Sequence, residues 1–163
     1  EDMEITPRKV NPGDMSVEHR EAANPTFNPG RRAEIKYRDL GLEAATRGDM
    51  RAEVMHISEG TSRPTGWHYH TADVQFLHMI KGWVKMEFGD AGVVTLSPGD
   101  SITIPGGTVH QELCSSDDME LLEISVPAKL GTVNVEAPEW ARERSDDYGD
   151  RSEVHKVGHA ANT

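Results

Sequence analysis

Residues 68–75 read HYHTADVQ, and residues 99–110 read GDSITIPGGTVH. His68 and His70 are two positions apart, so an extended segment points both imidazoles to the same face. Gln75 follows after a five-residue step, which is long enough to turn a corner into the next strand. His110 comes just after a Pro-Gly-Gly bend, which allows a third strand to deliver it. Three imidazoles and one amide oxygen from separate strands therefore indicate a metal site inside a barrel.

The composition describes a single acidic domain. The chain has 163 residues, 36% of them hydrophobic, with 15 glycines and 9 prolines. This length suits one domain with a sizeable core, and the glycines and prolines favour many turns. A formal net charge of −11 argues against nucleic acid and against an anionic membrane surface, because both require a basic face.

Cysteine usage and hydropathy predict the compartment. Cys114 is the single cysteine, so no disulfide forms within the chain and a reducing environment is expected. No charged start precedes an apolar run, and no stretch approaches about 18 apolar residues, so neither a signal peptide nor a membrane span is expected. We therefore expect a cytoplasmic protein whose partner is a small molecule.

Turn signals divide the chain into three predicted parts. Residues 1–36 form an N-terminal arm broken by four prolines, residues 37–127 form the barrel, and residues 128–163 form an acidic tail with a short helix near Pro138. Many short β-like runs at near-regular spacing favour an all-β sandwich or barrel. The candidate strands are Leu42–Thr46, Arg51–Ser58, Trp67–His70, Val74–Ile80, Trp83–Phe88, Val93–Leu96, Ser101–Ile104, His110–Cys114 and Glu120–Val126.

The spacing of the histidines resembles the two motifs of the cupin superfamily. The first motif corresponds to His68-x-His70-x4-Gln75-x6-Gly82. The second corresponds to Gly99-x5-Pro105-x-Gly107-x2-His110. The chain departs from the first motif at Gln75, where glutamate is usual, and in lacking a glycine five residues before His68. Cys114 stands where the second motif often has asparagine.

This resemblance implies a double-stranded β-helix, or jelly roll, over roughly residues 50–127. It also implies one divalent transition metal (Fe, Ni, Zn, Mn or Cu) held by His68, His70, Gln75 and His110. Imidazole nitrogens suit such ions, and an amide oxygen is a workable fourth ligand. Alternatively, Gln75 only hydrogen-bonds a ligand histidine or a water. Cupins commonly form homodimers through arms and edge strands, and open sheet edges need covering.

Glutamine in place of glutamate removes one negative charge beside the dication. The metal should therefore be held less tightly and act as a stronger Lewis acid. Two unit charges about 4 Å apart interact by roughly 4 kcal/mol at an effective dielectric of 20, which sets the upper end of this difference. A less neutralised ion favours anionic ligands, so we expect a small, anionic or enolisable substrate.

Alternation along the strands suggests further residues of the cavity. From His110, alternation puts Glu112 and Cys114 on the ligand face, where the Glu112 carboxylate can serve as general acid or base. Alternatively, Glu112 lies in solvent at the rim, and Cys114 is only a small buried hydrophobe. Leu77 continues the Gln75 face as pocket wall, as does Met79. Glu123 is expected at the surface or an edge, since Leu122, Ile124 and Val126 make the more natural inward stripe.

Three functions remain open from the sequence. By resemblance, a metal with three histidines and an oxygen ligand most often belongs to a dioxygenase, with Glu112 as the residue for proton transfer. The same site can instead run isomerase, lyase or cyclase chemistry without redox. A non-catalytic binder of small molecules is the third alternative, because fold alone does not settle function.

Overall fold

The computed structural model describes residues 10–30, 32–90 and 92–142. The start of the predicted arm and the predicted acidic tail beyond residue 142 lie outside these ranges. Within them, no helix is long and apolar enough to cross a membrane. The strands are β1 (Phe27–Pro29), β2 (Ile35–Asp39), β3 (Arg51–Ile57), β4 (His68–His70), β5 (Val74–Lys81), β6 (Val84–Phe88), β7 (Gly92–Leu96), β8 (Ser101–Pro105), β9 (His110–Ser115), β10 (Met119–Val126) and β11 (Thr132–Asn134). The helices are a 3₁₀ turn (Pro12–Asp14), α1 (Leu42–Thr46) and α2 (Glu139–Arg142).

Two antiparallel sheets face each other, which confirms the predicted all-β jelly-roll fold. The six-stranded sheet has the order β1-β2-β3-β10-β5-β8, and the five-stranded sheet has the order β11-β4-β9-β6-β7. Strands that are distant in sequence are neighbours in both sheets, as β3 and β10 are. This connectivity brings the two histidine motifs together, because β4 pairs with β9 and His68 lies directly opposite His110.

The apolar core fills one end of the space between the sheets. Met79 and Leu121 come from the six-stranded sheet and face Met86 and Val84 of the other, and all four are buried. Burial of a side chain of this size contributes about 1.5–3 kcal/mol. The other end of the interior is lined by polar residues, among them the two histidines of β4, with the buried histidine of β9 beside them.

The predicted strand Leu42–Thr46 is instead the helix α1, so that prediction was wrong. The run Leu-Glu-Ala-Ala-Thr contains good helix formers and no alternation of polar and apolar residues. Gly41 precedes it with φ of 84°, in the left-handed region where glycine is favoured. The Thr46 hydroxyl donates to the Leu42 carbonyl at 2.8 Å.

The inward face of β10 also differs from the prediction. Leu122, Ile124 and Val126 were expected to point inward, but they are only half-buried. The buried residues of the strand are instead Met119, Leu121, Glu123 and Ser125. The inward stripe changes from apolar to polar along the strand, because its first half packs in the core and its second half reaches the polar end of the interior. Glu123 is therefore a buried residue.

Candidate metal centre

Three histidines converge at the polar end of the interior. His68, His70 and His110 are buried, and one ring nitrogen from each lies within 4.8 Å of the other two. The ring centroids are 4.5 Å apart for His68 and His110, 5.1 Å for His68 and His70, and 5.2 Å for His70 and His110. His110 is 0% exposed. This cluster can hold a metal ion.

Hydrogen bonds to backbone carbonyls fix which nitrogen of His68 and of His110 carries the proton. Nδ1 of His68 donates to the Gly66 carbonyl at 2.8 Å, and Nδ1 of His110 donates to the Thr108 carbonyl at 2.9 Å. Nδ1 of His70 lies 3.2 Å from the Thr132 hydroxyl. With Nδ1 protonated, a neutral imidazole carries its lone pair on Nε2. Such outer partners orient histidines for metal binding.

Two of the histidines, His70 and His110, are held in their neutral form. Burial lowers the pKa of His70 from 6.5 to about 4, and the neighbouring His110 and His68 lower it further. Burial also lowers the pKa of His110. Because a metal ion binds the unprotonated imidazole, both rings are ready to coordinate at neutral pH without first losing a proton.

The glycines of the second motif hold the two histidine segments together. The Gly107 amide donates to the His70 carbonyl at 2.9 Å, and the Gly106 amide donates to the Asp73 carbonyl at 2.9 Å. A Cβ at Gly106 would lie 2.0 Å from the backbone oxygen of Ala72, which no side chain allows. The Pro-Gly-Gly bend therefore places His110 by direct backbone contact with the segment that carries His70.

Gln75 lines the same cavity as His68 and His70 and is 5% exposed. Its Nε2 donates to Oε2 of Glu123 at 2.8 Å. Its Oε1 is buried and has no hydrogen-bond partner among the described residues, and the same is true of Nε2 of His110. Buried polar atoms without partners are costly and rare. A cation bound between the histidines would satisfy a lone pair of this kind, so the residues present fit a metal ion.

Glu112 also reaches the cluster. Its Oε2 lies 3.8 Å from Nε2 of His68, and its Oε1 lies 3.8 Å from Nε2 of His110. The Thr65 hydroxyl donates to Oε2 at 2.6 Å and accepts from the Glu112 amide at 3.1 Å. The carboxylate remains 29% exposed, so it lies at the open side of the cluster.

Cys114 does not share the face of Glu112, so that prediction was wrong. The pairing of β9 with β6 shifts by one residue, with Glu112 opposite Met86 and Cys114 opposite Lys85. Leu113 is thus an extra residue, a β-bulge, and it reverses the alternation beyond it. Ser115 lines the cavity instead, while the buried Cys114 points to the other side of the sheet.

A second polar group in the cavity was missed in the sequence. Arg51 donates from Nη2 to Oε1 of Glu123 at 2.8 Å, and its Nε lies 3.8 Å from Oε2 of Glu53. Burial raises the pKa of the Glu53 carboxyl group and that of the Glu123 carboxyl group. Burial and then the charge of Glu123 raise the pKa of the nearby Tyr37 to about 12. Met119, Leu121 and Glu123 occupy alternate positions of β10 and therefore point to the same face of the sheet. This alternation is the sequence signal that would have placed Glu123 in the interior.

The cavity has a volume of about 660 Å³, within the range of small-molecule sites. Its polar wall carries His68, His70, Gln75, Glu112 and the Arg51 group, and Leu77 and Met86 belong to its apolar wall. The other predicted wall residue, Met79, is buried in the core. The space therefore suits a small organic molecule with one polar and one apolar side.

Comparisons with known proteins agree with this architecture. Residues 53–125 match the family described as the cupin domain. Comparison with curated proteins found no matching sequence. The solved structure of KdgF from Halomonas sp. is similar with a TM-score of 0.51 and 20% identity, over 63% of this chain and 87% of KdgF.

Two further structures are similar over a larger share of the chain. FeII HppE has a TM-score of 0.55 and 17% identity, over 71% of this chain and 65% of HppE. A structure of the DMSP lyases RdDddP and RnDddQII has a TM-score of 0.56 and 16% identity, over 71% of this chain and 64% of the lyase. At these identities the likeness shows a shared fold.

Proposed function

Residues 53–125 match the cupin domain, and on that premise we propose that this protein is a metal-dependent enzyme for a small, anionic or enolisable organic molecule. The observation that carries the proposal is the convergence of three buried histidines beside Gln75, with His110 Nε2 and Gln75 Oε1 left without a hydrogen-bond partner among the described residues. A site built only for packing would satisfy these atoms within the protein.

The metal ligands in this proposal are Nε2 of His68, His70 and His110 together with Oε1 of Gln75. A divalent transition metal bound there supplies Lewis acidity and, if it is iron, the redox capacity for reaction with O2. The uncharged donor set leaves the charge of the ion uncompensated by its ligands. This favours a substrate that brings its own negative charge, such as an enolate or a carboxylate.

The proposed reaction class is a dioxygenase reaction, in which both atoms of O2 enter the organic substrate and no external reductant is consumed. Glu112 is the proposed acid–base residue, because its carboxylate lies 3.8 Å from the nitrogens of two histidines at the open side of the cluster. Thr65 holds Oε2, which leaves Oε1 to accept a proton from the substrate. A positioned acid or base contributes about 10²–10⁴-fold to a rate.

A non-redox lyase or isomerase is the second candidate. It is favoured by the number of groups around the cavity that can move or hold a proton, namely Glu112, Glu53, Glu123 and Tyr37. Two of the similar structures also differ in what their names describe, since one is an iron(II) protein and the other a DMSP lyase.

The experiment compares metals and oxygen directly. Protein stripped with a chelator is reloaded anaerobically with Fe(II), Mn(II), Ni(II) or Zn(II) and offered a panel of small enolisable acids and diketones. Oxygen uptake that requires Fe(II) and substrate together supports the dioxygenase. Turnover with Zn(II) in the absence of oxygen selects the lyase or isomerase. Saturable binding without turnover, under every metal, overturns the enzyme proposal in favour of a binding protein.

The prediction of a homodimer concerns the edges of the six-stranded sheet. The strand β1 ends that sheet, and its three residues, including Phe27, are exposed. Open strand edges of this kind pair readily with another chain. We propose a second copy as the partner, and a sedimentation measurement of the mass in solution tests it. A monomer at micromolar concentration would contradict the prediction.

A further inference from the structure

Gln75, Glu123 and Arg51 form a buried chain of hydrogen bonds behind the proposed metal ligands. We propose that Glu123 is a positioning residue, which holds the Gln75 amide with its oxygen free to coordinate. We also infer that Glu123 makes glutamine, and not glutamate, the residue that fits at position 75. This inference rests on the proposed metal site and names what sets the orientation of its fourth ligand.

The sheet register places Glu123 between the other two side chains. β10 lies between β3 and β5. In β5, Gln75 is opposite Ser125, two residues from Glu123, and in β3 Arg51 is opposite the same Ser125. Both are therefore diagonal neighbours of Glu123, a separation that long side chains bridge across a sheet. Their bonds to Glu123 are 2.8 Å long on either side.

The available hydrogen-bond donors and acceptors fix the orientation of the Gln75 amide. Oε1 of Glu123 accepts from Arg51, and Oε2 accepts from Gln75, so both carboxylate oxygens act as acceptors. Only the nitrogen of a carboxamide can donate. The Gln75 nitrogen must therefore face Glu123, and its oxygen is the atom left buried without a partner among the described residues.

The charge balance explains why a carboxylate does not fit at position 75. Such a group would stand at hydrogen-bonding distance from the Glu123 carboxylate, and the two could coexist there only by taking up a proton to hold between them. Glu123 already lies directly opposite Glu53 in the neighbouring strand. Among the described residues, Arg51 is the cation that forms ion pairs with these two carboxylates. A third carboxylate would leave the buried group with uncompensated negative charge.

In this site the negative charge that a glutamate ligand would place beside the metal is thus carried by Glu123, which accepts a hydrogen bond from the ligand Gln75. It acts on the ion through the Gln75 amide, whose oxygen becomes more electron-rich when its nitrogen donates to an anion. Partners of this kind orient ligands, and their loss commonly weakens metal binding by about 10–100-fold.

An exchange of the two residues tests the inference without a substrate. The variants are Gln75→Glu, Glu123→Gln and the double exchange, studied at mildly alkaline pH. The control is Glu87→Gln, because Glu87 accepts from Gln111 in a similar buried pair, with Nε2 and Oε2 3.0 Å apart, and does not line the cavity. The readouts are Tm of the metal-free protein, Zn(II) affinity in competition with a chromophoric chelator, and the absorption spectrum of the Co(II) form.

We expect Glu123→Gln to weaken Zn(II) binding by about 10–100-fold and to change the Co(II) spectrum, which reports the ligands directly. Gln75→Glu alone should lower Tm of the metal-free protein by several degrees. The double exchange should restore Tm, because one amide again donates to one carboxylate, and should bind Zn(II) more tightly than the original pair. Glu87→Gln should leave the Zn(II) affinity and the spectrum unchanged.

Other outcomes overturn the inference in distinguishable ways. An unchanged Zn(II) affinity and Co(II) spectrum in Glu123→Gln would show that Glu123 does not position the ligand. A Gln75→Glu variant as stable as the double exchange would remove the argument from charge. If Gln75→Glu does not fold, recovery of folding in the double exchange supports the coupling between the two residues. If neither of these variants folds, the Zn(II) affinity and Co(II) spectrum of Glu123→Gln decide whether Glu123 positions the ligand. Failure of the unaltered protein to bind Zn(II) or Co(II) would instead refute the metal site itself.

Discussion

Acid should destabilise the metal-free protein through His70. Burial, followed by the neighbouring His110 and His68, lowers the pKa of His70 from 6.5 to about 4. In the unfolded chain the same imidazole takes up a proton near its ordinary pKa. Between these two values the unfolded state binds the proton and the folded state does not, so stability falls as the pH falls.

The size of the effect follows from the two pKa values. Each pKa unit corresponds to about 1.4 kcal/mol, so the difference between 6.5 and about 4 amounts to about 3 kcal/mol. None of this loss is present well above pH 6.5, and all of it is present once the pH is below 4. Since small domains are stable by only about 5–15 kcal/mol, such a loss is readily measured.

Urea unfolding of chelator-treated protein, followed from neutral pH down to pH 4, provides the measurement. His70→Gln removes the titrating ring and serves as the reference, because the other ionisable groups remain the same in both proteins. The unfolding free energy of the original protein should fall relative to this variant by about 3 kcal/mol over that range. His19→Gln, on the exposed arm, should follow the original protein. Equal loss of stability in the original protein and His70→Gln would refute the reasoning.

Three further predictions concern the core, the bend and the histidine cluster. Met79→Ala, at a 0% exposed core position, should cost about 2–5 kcal/mol in urea unfolding, whereas Ile80→Ala, at 45% exposure, should change stability by about 0.5 kcal/mol or less. Gly106→Ala places a Cβ 2.0 Å from a backbone oxygen and should lower Tm and Zn(II) affinity together, whereas Gly89→Ala, with its nearest contact at 3.6 Å, should alter the Zn(II) affinity little. His110→Ala should weaken Zn(II) binding in equilibrium dialysis by more than the roughly 100-fold expected for loss of an outer partner. Retention of tight one-to-one binding by that variant would exclude His110 as a ligand.

The part of the site that could be predicted from the sequence depends on fixed backbone requirements. His68 and His70 share a face because their strand is extended, and His110 follows a bend whose Gly106 has no room for a Cβ. Such constraints leave a pattern of residue types at fixed spacing. The all-β fold was predictable for the same reason, since turn residues mark the ends of most strands.

Other features left no such pattern. A five-residue run such as Leu42–Thr46 is too short to distinguish a helix from a strand by periodicity. The bulge at Leu113 has no characteristic residue, yet it changes which side chains face the cavity beyond it. The sequence favours a surface or edge position for Glu123, because Leu122, Ile124 and Val126 make the more natural inward stripe, whereas the structure buries Glu123. Its environment depends on Arg51 and Gln75, which are remote in sequence and adjacent only in the folded sheet.

The bulge at Leu113 also has a chemical consequence for the single thiol of the chain. Without the extra residue, regular alternation would turn the Cys114 sulfur toward the imidazoles, where a soft ligand competes for zinc and copper. In the proposed dioxygenase it would there also be exposed to oxidising species, and oxidation of a thiol beyond the sulfenic acid is largely irreversible. One inserted residue thus keeps a vulnerable sulfur on the far side of the sheet, away from the candidate metal site.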